Sequence, residues 1–316
     1  MKLLTFEIAT HLGRHQRLGA LAPDNRILDL NFATALRHGQ RLADALVPAQ
    51  MLPFLEAGPR AMDEARETLQ ALPDRRGLND ETLLYSFDQV VLRAPIPNPP
   101  ALRDFYAFEA HVKRGFEKRN EPMPREWYEF PAYYKSGTRN IIGHNEAALW
   151  PSFTRKFDYE LELAAVVGRK GANLKAAQAP SYIAGYTAMN DFSARDIQRR
   201  EMKVRLGPAK GKDWCTALGP WLVTPDEIPN PYSLEMTALV NGEEWSRGNS
   251  RDLHYTFEQM LEFLTEDDTV LPGDVIGSGT VGTGCGLELD RWVQPGDRID
   301  LHIDHIGTLS NPVFRR

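Results

Sequence analysis

An α+β, strand-rich fold in two unequal parts is what this chain of 316 residues predicts. Three observations carry that expectation. Short apolar runs bounded by Gly, Pro, Asn and Asp recur along most of the sequence, and helical spacing is confined to a few stretches. The third is the segment Ala94-Pro95-Ile96-Pro97-Asn98-Pro99-Pro100. Proline neither continues a helix nor donates to a sheet ladder, so the boundary between parts falls there. It separates a small N-terminal strand-rich domain with helices, residues 1–93, from a mixed, largely antiparallel part, residues 94–316.

In the first part, residues 2–8, 17–22 and 26–30 read as strands, the last after the turn residues Asp24-Asn25. Helical patterns follow at 32–46 and 59–72, where Pro59 suits a first turn and Pro73 a stop. Beyond the break, 101–118 reads as a helix. Strands are then expected at 161–167, 181–189, 221–223, 233–240, 275–276 and 298–303. Asn241-Gly242 is a tight-hairpin dipeptide, because both residues accept the left-handed backbone such turns need. Leu271-Pro272-Gly273-Asp274 and Gln294-Pro295-Gly296-Asp297 each precede a strand.

The formal net charge of -6 disfavours a general binder of phosphate backbones, so no nucleic-acid partner is expected, although Arg199, Arg200, Lys203, Arg205 and Lys210 form a local basic cluster. Cys215 and Cys285 lie far apart without zinc-type spacing. Neither a disulfide framework nor a thiolate metal site is indicated, and a reducing cytoplasm is the expected location. No apolar run approaches bilayer length, so the chain is expected to be soluble, without a membrane partner.

Chemistry begins with Asp158-Tyr159-Glu160-Leu161-Glu162. The two-residue period of a strand aligns its three carboxylates on one face. That is costly unless a cation sits there; an acidic solvent face on a half-buried strand is the alternative. Asp191 follows Asn190 at a strand-to-helix junction, where it serves either as a ligand or as an N-cap. Asp104 opens a helical stretch whose dipole favours an acid, and His111, seven residues on, shares its face. Four carboxylates, with no cysteine and no HExxH pair, suit magnesium, calcium or manganese rather than zinc.

Two motifs lead elsewhere and fail. Gly277-Ser278-Gly279-Thr280-Val281-Gly282 satisfies GxGxxG, but 287–290 reads as a strand where a dinucleotide site needs a helix. Gly207-Pro208-Ala209-Lys210-Gly211-Lys212 has three intervening residues where a phosphate loop has four, and Asp213 stands where Ser or Thr should hold the metal.

In order and spacing, these pieces resemble the fumarylacetoacetate hydrolase (FAH) family over most of the region from Asp104 to Trp292. The residues that carry the resemblance are Asp104-Phe105-Tyr106 with His111, Asp158-Tyr159-Glu160-Leu161-Glu162, and Met189-Asn190-Asp191-Phe192-Ser193-Ala194-Arg195-Asp196-Ile197-Gln198. Leu206-Gly207-Pro208 leading to Gly211-Lys212, and Ser278-Gly279-Thr280 leading to Leu287-Glu288-Leu289, continue it. The resemblance implies an FAH-like mixed β-roll or barrel catalytic domain, usually dimeric, so a homodimer is expected. It implies that Asp104, Glu160, Glu162 and Asp191 bind a divalent metal, magnesium or calcium first and manganese next. His111, oriented by Glu288, would be the general base, with Arg195, Gln198 and Lys212 donating to a developing oxyanion. Tyr106, Tyr134 and Thr280, with Arg195 and Gln198, would position the substrate.

The reaction so implied is hydrolysis of a carbon–carbon bond in a 1,3-diketo acid of the fumarylacetoacetate or acylpyruvate type. A decarboxylase, tautomerase or hydratase of a small oxo acid is the alternative, and a non-catalytic metal- or oxo-acid-binding protein a further one. The pair His111 and Glu288 favours hydrolysis in this reading, as a base that activates water. Two departures point away from the namesake substrate. Met202 stands where hydrolases proper carry a substrate-contacting Tyr, and Asn120, beside Arg119, where they carry a substrate-binding Arg. An acylpyruvate or another ring-cleavage product is expected instead.

Overall fold

The computed structural model describes residues 1–71 and 82–315. The N-terminal runs form β1 (Lys2–Thr10), β2 (Gly13–Leu21) and β3 (Ile27–Asp29). Helices Leu30–His38, Gln40–Leu46, Met51–Glu56 and Pro59–Gln70 follow. Where one helix was expected over 32–46 there are two, because the chain passes through Gly39 at φ 83°. The stop expected at Pro73 lies outside the described residues.

Beyond the prolines come β4 (Leu102–Phe105), β5 (Tyr133–Ser136), β6 (Leu161–Val167), β7 (Ile183–Asn190), β8 (Thr216–Val223) and β9 (Val275–Gly277). The large sheet runs Leu84–Tyr85, β3, β2, β1, β8, β7, β6, β9, β4, β5. β1 pairs antiparallel with β8, Lys2 opposite Val223, so one sheet carries strands from both sides of the proline-dense segment. A second sheet orders Glu243–Asn249, Glu235–Val240, Arg298–Ile303, Gly307–Arg315 and Ala148–Trp150. Asn241 (φ 53°) and Gly242 (φ 81°) make its expected hairpin turn. The fold is therefore α+β and strand-rich, an open mixed roll in which no strand path closes among the described residues.

Strand β6 explains why the sequence around it is so apolar. Its Leu161, Leu163, Ala165 and Val167 join a core with the second sheet and the helix Phe257–Leu264, while Ala164 and Val166 join another with Leu28, Phe54 and Leu55. A strand buried on both faces loses the polar alternation of a half-exposed one.

Two local expectations are overturned. Residues 101–118 are not one helix: β4 comes first and a helix spans only Glu109–Glu117. Pairing of β4 with β9 on one side and β5 on the other outweighs the local helical spacing. Asp104 and His111 therefore do not share a helix face. Residues 287–290 are not a strand either, but mostly the one-turn helix Gly286–Leu289. Its first amide groups are satisfied by a carboxylate from far upstream, a contact that no local pattern reports. Four residues remain far short of the helix a dinucleotide site requires.

Candidate metal centre and active site

The acids stand at neighbouring strand ends of the large sheet. Asp104 on β4 lies opposite Gly277 of β9; Glu162 on β6 lies opposite Met189 of β7; Asp191 directly follows β7. Glu160, just before β6, is bridged to Cys285. Leu102, Ala164 and Met189 of the same strands pack in the core beside them, so strand alternation leads from apolar packing to acids. Oxygens of Asp104, Glu160, Glu162 and Asp191 lie within 4.8 Å of one another, and all four residues are buried. Gly277 leaves the room this needs, since a Cβ there would fall 2.5 Å from Met189 Cε and against Asp104 Oδ1.

The three carboxylates expected on one strand face are divided. Asp158 belongs to a separate short strand, Phe157–Asp158, and its carboxylate turns to Arg195 Nε (2.7 Å) and to the amides of Gly286 (2.8 Å) and Leu287 (3.0 Å). The break at Tyr159 and Glu160 interrupts the period that would have aligned it with Glu162.

Two buried cations face these acids. Lys212 Nζ lies 2.5 Å from Glu160 Oε2 and 2.6 Å from Asp191 Oδ2. Arg195 Nη2 lies 2.8 Å from Glu160 Oε1, an ion pair off the line of a hydrogen bond. Burial disfavours an ionised Glu160, yet Lys212, Arg195 and His111 together outweigh it and hold this carboxyl below its usual range. Asp104 and Glu162 fare the opposite way. Burial, then the charge of Asp191 on Asp104 and of Asp104 on Glu162, pushes both well above the usual range. Glu162 Oε2 is buried without a hydrogen-bond partner. With Asp158, five buried carboxylates meet two buried cations. An oxygen-only donor set, a surplus of negative charge and an orphaned oxygen together fit a hard divalent cation.

Beside this centre, His111 in the helix Glu109–Glu117 places Nδ1 2.5 Å from Glu288 Oε1. A carboxylate accepts from Nδ1–H, which leaves the Nε2 lone pair to take a proton. Glu288 Oε2 accepts from the amide of Thr283 (3.0 Å), and Cys285 Sγ lies 3.6 Å from Oε1. Burial raises the Cys285 thiol well above its usual range, so it is protonated and no nucleophile. The Tyr106 ring meets the imidazole edge-on at 5.3 Å, and burial pushes its phenol up to about 12. Tyr134 Oη donates to Asp191 Oδ2, and Thr280 Oγ1 donates to Glu162 Oε1 at 3.2 Å. Arg195 Nη1 donates to Gln198 Oε1 at 3.1 Å. All the residues singled out in the sequence thus converge, although Arg195, Lys212, Tyr134 and Thr280 point donors at carboxylates.

A family model described as fumarylacetoacetate (FAA) hydrolase C-terminal matches residues 101–314. The chain belongs to the fumarylacetoacetate hydrolase family. It is 30% identical over 305 residues to the oxaloacetate tautomerase YisK of Bacillus subtilis (strain 168), covering 94% of this chain and 95% of that protein. The structure of a 5-carboxymethyl-2-hydroxymuconate delta-isomerase from Mycobacterium smegmatis superposes with a TM-score of 0.67 at 27% identity over the full length of both chains. A maleylpyruvate hydrolase from Sphingobium sp. SYK-6, solved with manganese (II) ion and pyruvate, shares the fold at TM-score 0.71 and 24% identity, over 100% of this chain and 99% of that one. The relatives at 27% and 30% identity are an isomerase and a tautomerase, and this chain is one of the family's enzymes.

Some residues of this family member's site escaped the sequence reading. Thr216 Oγ1 donates to Asp191 Oδ1 at 3.3 Å, and Asn190 Oδ1 accepts from the amide of Glu160 at 3.0 Å. Adjacency to Asp191 was a signal for Asn190. For Cys285 the signal was its place three residues before Glu288; for Thr216 there was none, because it reaches the site only through the sheet.

Proposed function

We propose that the chain is a metal-dependent enol–keto tautomerase of a small 2-oxo dicarboxylic acid of the oxaloacetate type. The buried His111–Glu288 pair beside an oxygen-only metal centre supports metal-assisted proton transfer. The observation that carries the choice of tautomerisation is the similarity to an oxaloacetate tautomerase along nearly the whole of both chains. Asp104, Glu160, Glu162 and Asp191 would hold the divalent cation, which when bound supplies Lewis-acid stabilisation of negative charge on substrate oxygens. His111 Nε2 takes the proton of the enol hydroxyl and returns it, from the imidazolium, to the adjacent carbon. Glu288 keeps the other ring nitrogen protonated throughout and stabilises the transient positive charge. Tyr106 packs on the ring and limits its rotation.

The same free Nε2 lone pair supports a second reading, hydrolysis of a 1,3-diketo acid, in which it deprotonates a water. A histidine–glutamate pair moves a proton in either reaction, so its presence does not favour hydrolysis as the sequence reading had it. The test is a parallel assay of wild type and His111→Ala, magnesium-loaded, for loss of enol absorbance from oxaloacetate and for cleavage of acylpyruvates. Enol conversion should fall by roughly 10²- to 10⁴-fold in the variant while magnesium affinity holds. Acylpyruvate cleavage without enol conversion above the spontaneous rate would replace the first reading with the second.

A further inference from the structure

Asp158 is the buried acid that neither the metal centre nor the proton-transfer pair uses, and its contacts reach both. Fully buried, it accepts four N–H donors. Oδ1 takes the amides of Tyr159 (3.0 Å) and Gly286 (2.8 Å); Oδ2 takes the amide of Leu287 (3.0 Å) and Arg195 Nε (2.7 Å). With both oxygens so occupied and a guanidinium matching its charge, it has no need of a metal.

On one side lies the helix Gly286–Leu289, which carries Glu288. Four residues cannot hold helical geometry alone, and the residue in its cap position, Cys285, makes no side-chain capping bond. The cap comes instead from Asp158, 128 residues upstream. Gly286 permits the close packing here: a Cβ there would run into the carbonyl oxygen of Arg291 and fall 2.7 Å from Asp158 Oδ1. On the other side, Arg195 extends from Asp158 to Glu160 of the metal centre.

We propose that Asp158 is a positioning residue that holds the Glu288-bearing turn and the Arg195 guanidinium in one frame. In that frame the imidazole of His111 keeps a single tautomer and faces the metal centre. The inference rests on the proton-transfer role given to His111 above, and its test reads ring geometry as well as turnover.

The experiment uses the full chain loaded with magnesium and the isosteric Asp158→Asn. The amide keeps one acceptor oxygen and replaces the other with a donor, which must oppose either the amides of Tyr159 and Gly286 or the Leu287 amide and Arg195 Nε–H. The expected result is a kcat about 100-fold lower with KM and the magnesium Kd each within about threefold of wild type. The ring ¹⁵N resonances of His111 should also depart from the Nδ1–H pattern. A magnesium Kd weakened in proportion to kcat, with the His111 ring resonances unchanged, would place Asp158 in the metal centre and overturn the proposal. So would wild-type kcat and ring resonances. If Asp158→Asn does not fold, Asp158→Glu keeps the charge but lengthens the side chain by one methylene against the same four donors, and should shift the ring resonances in smaller measure; a folded Asp158→Glu with wild-type resonances and kcat refutes the link. Absence of any oxo-acid turnover in wild type would sink the proposed function instead, and leave the resonance test standing.

Discussion

Asp29 and Asp158 are the same chemistry in two regions of the molecule. Each is fully buried, each caps a helix, and each accepts an arginine Nε, from Arg17 at 2.6 Å and Arg195 at 2.7 Å. Their surroundings differ. Asp29 caps its own helix three residues on, through the Phe32 amide at 3.0 Å, and Arg17 matches its charge. Asp158 sits beside four more carboxylates that share Lys212 and Arg195 as buried counter-ions. Buried charge that is balanced on the spot serves the fold, whereas a buried surplus of one sign marks a place where the fold gives up stability for chemistry.

The largest effect that separates the two regions is expected at the surplus acids. Glu162→Gln or Asp104→Asn should weaken magnesium binding by roughly 100-fold or more, measured by titration calorimetry. The same changes should leave the metal-free Tm unchanged or higher, because each removes a repelling buried charge. A clear fall in the metal-free Tm would place these acids with Asp29 and break the distinction. At Asp29 the reverse holds. Asp29→Ala leaves Arg17 without its ion-pair partner and the helix without its cap, at a cost of about 3 kcal/mol, while kcat of the folded enzyme stays as in wild type.

The pH dependence sharpens the contrast. Asp104 and Glu162 have folded-state values raised above their unfolded ones, so the metal-free folded state binds more protons there than the unfolded state does. Their contribution to stability is full below the unfolded values and is lost as pH rises through the folded ones. Magnesium requires both carboxylates ionised, so the gain in Tm on adding it should grow over the same rise. Melting curves with magnesium and with chelator, from about pH 5 to about pH 8, test the sign. A gain that shrinks as pH rises would remove Asp104 and Glu162 from the metal centre.

The pattern of what was legible follows the same line. Strands β1, β6 and Arg298–Ile303, the hairpin at Asn241-Gly242 and the acids 160 and 162 could be read because each rests on neighbours in sequence. The residues that converge on the site were found through their resemblance to a known family and through residue chemistry. How they converge was not. Asp104 was placed on a helix because residues 101–118 read as one helical stretch, and only pairing with β9 and β5, which no local pattern shows, makes its segment a strand. Asp158 was grouped with the acids of the metal face because nothing local announces that its partners are Arg195, Gly286 and Leu287. Contacts between distant strands are set by the whole sheet, and a linear pattern carries no trace of them.

The smallest expected effect tests whether a local device is confined to the fold. Thr256 and Gln259 form a reciprocal capping box on the helix Phe257–Leu264: Thr256 Oγ1 accepts from the Gln259 amide, and Gln259 Oε1 accepts from the Thr256 amide at 2.9 Å. This cap is made from residues three apart, as at Asp29, and has no contact with the metal centre or with His111. Thr256→Ala should cost about 1 kcal/mol, read from urea unfolding at constant m-value. Because the helix packs through Phe257, Met260 and Leu261 on the core that also holds Leu161 and Leu163 of β6, any effect on the acids would have to pass along that strand. Changes at sites that share no partners act independently, so kcat and the magnesium Kd should match wild type. A shift in either would mean that local caps and the site are coupled, and that the division drawn between balanced and surplus charge is incomplete.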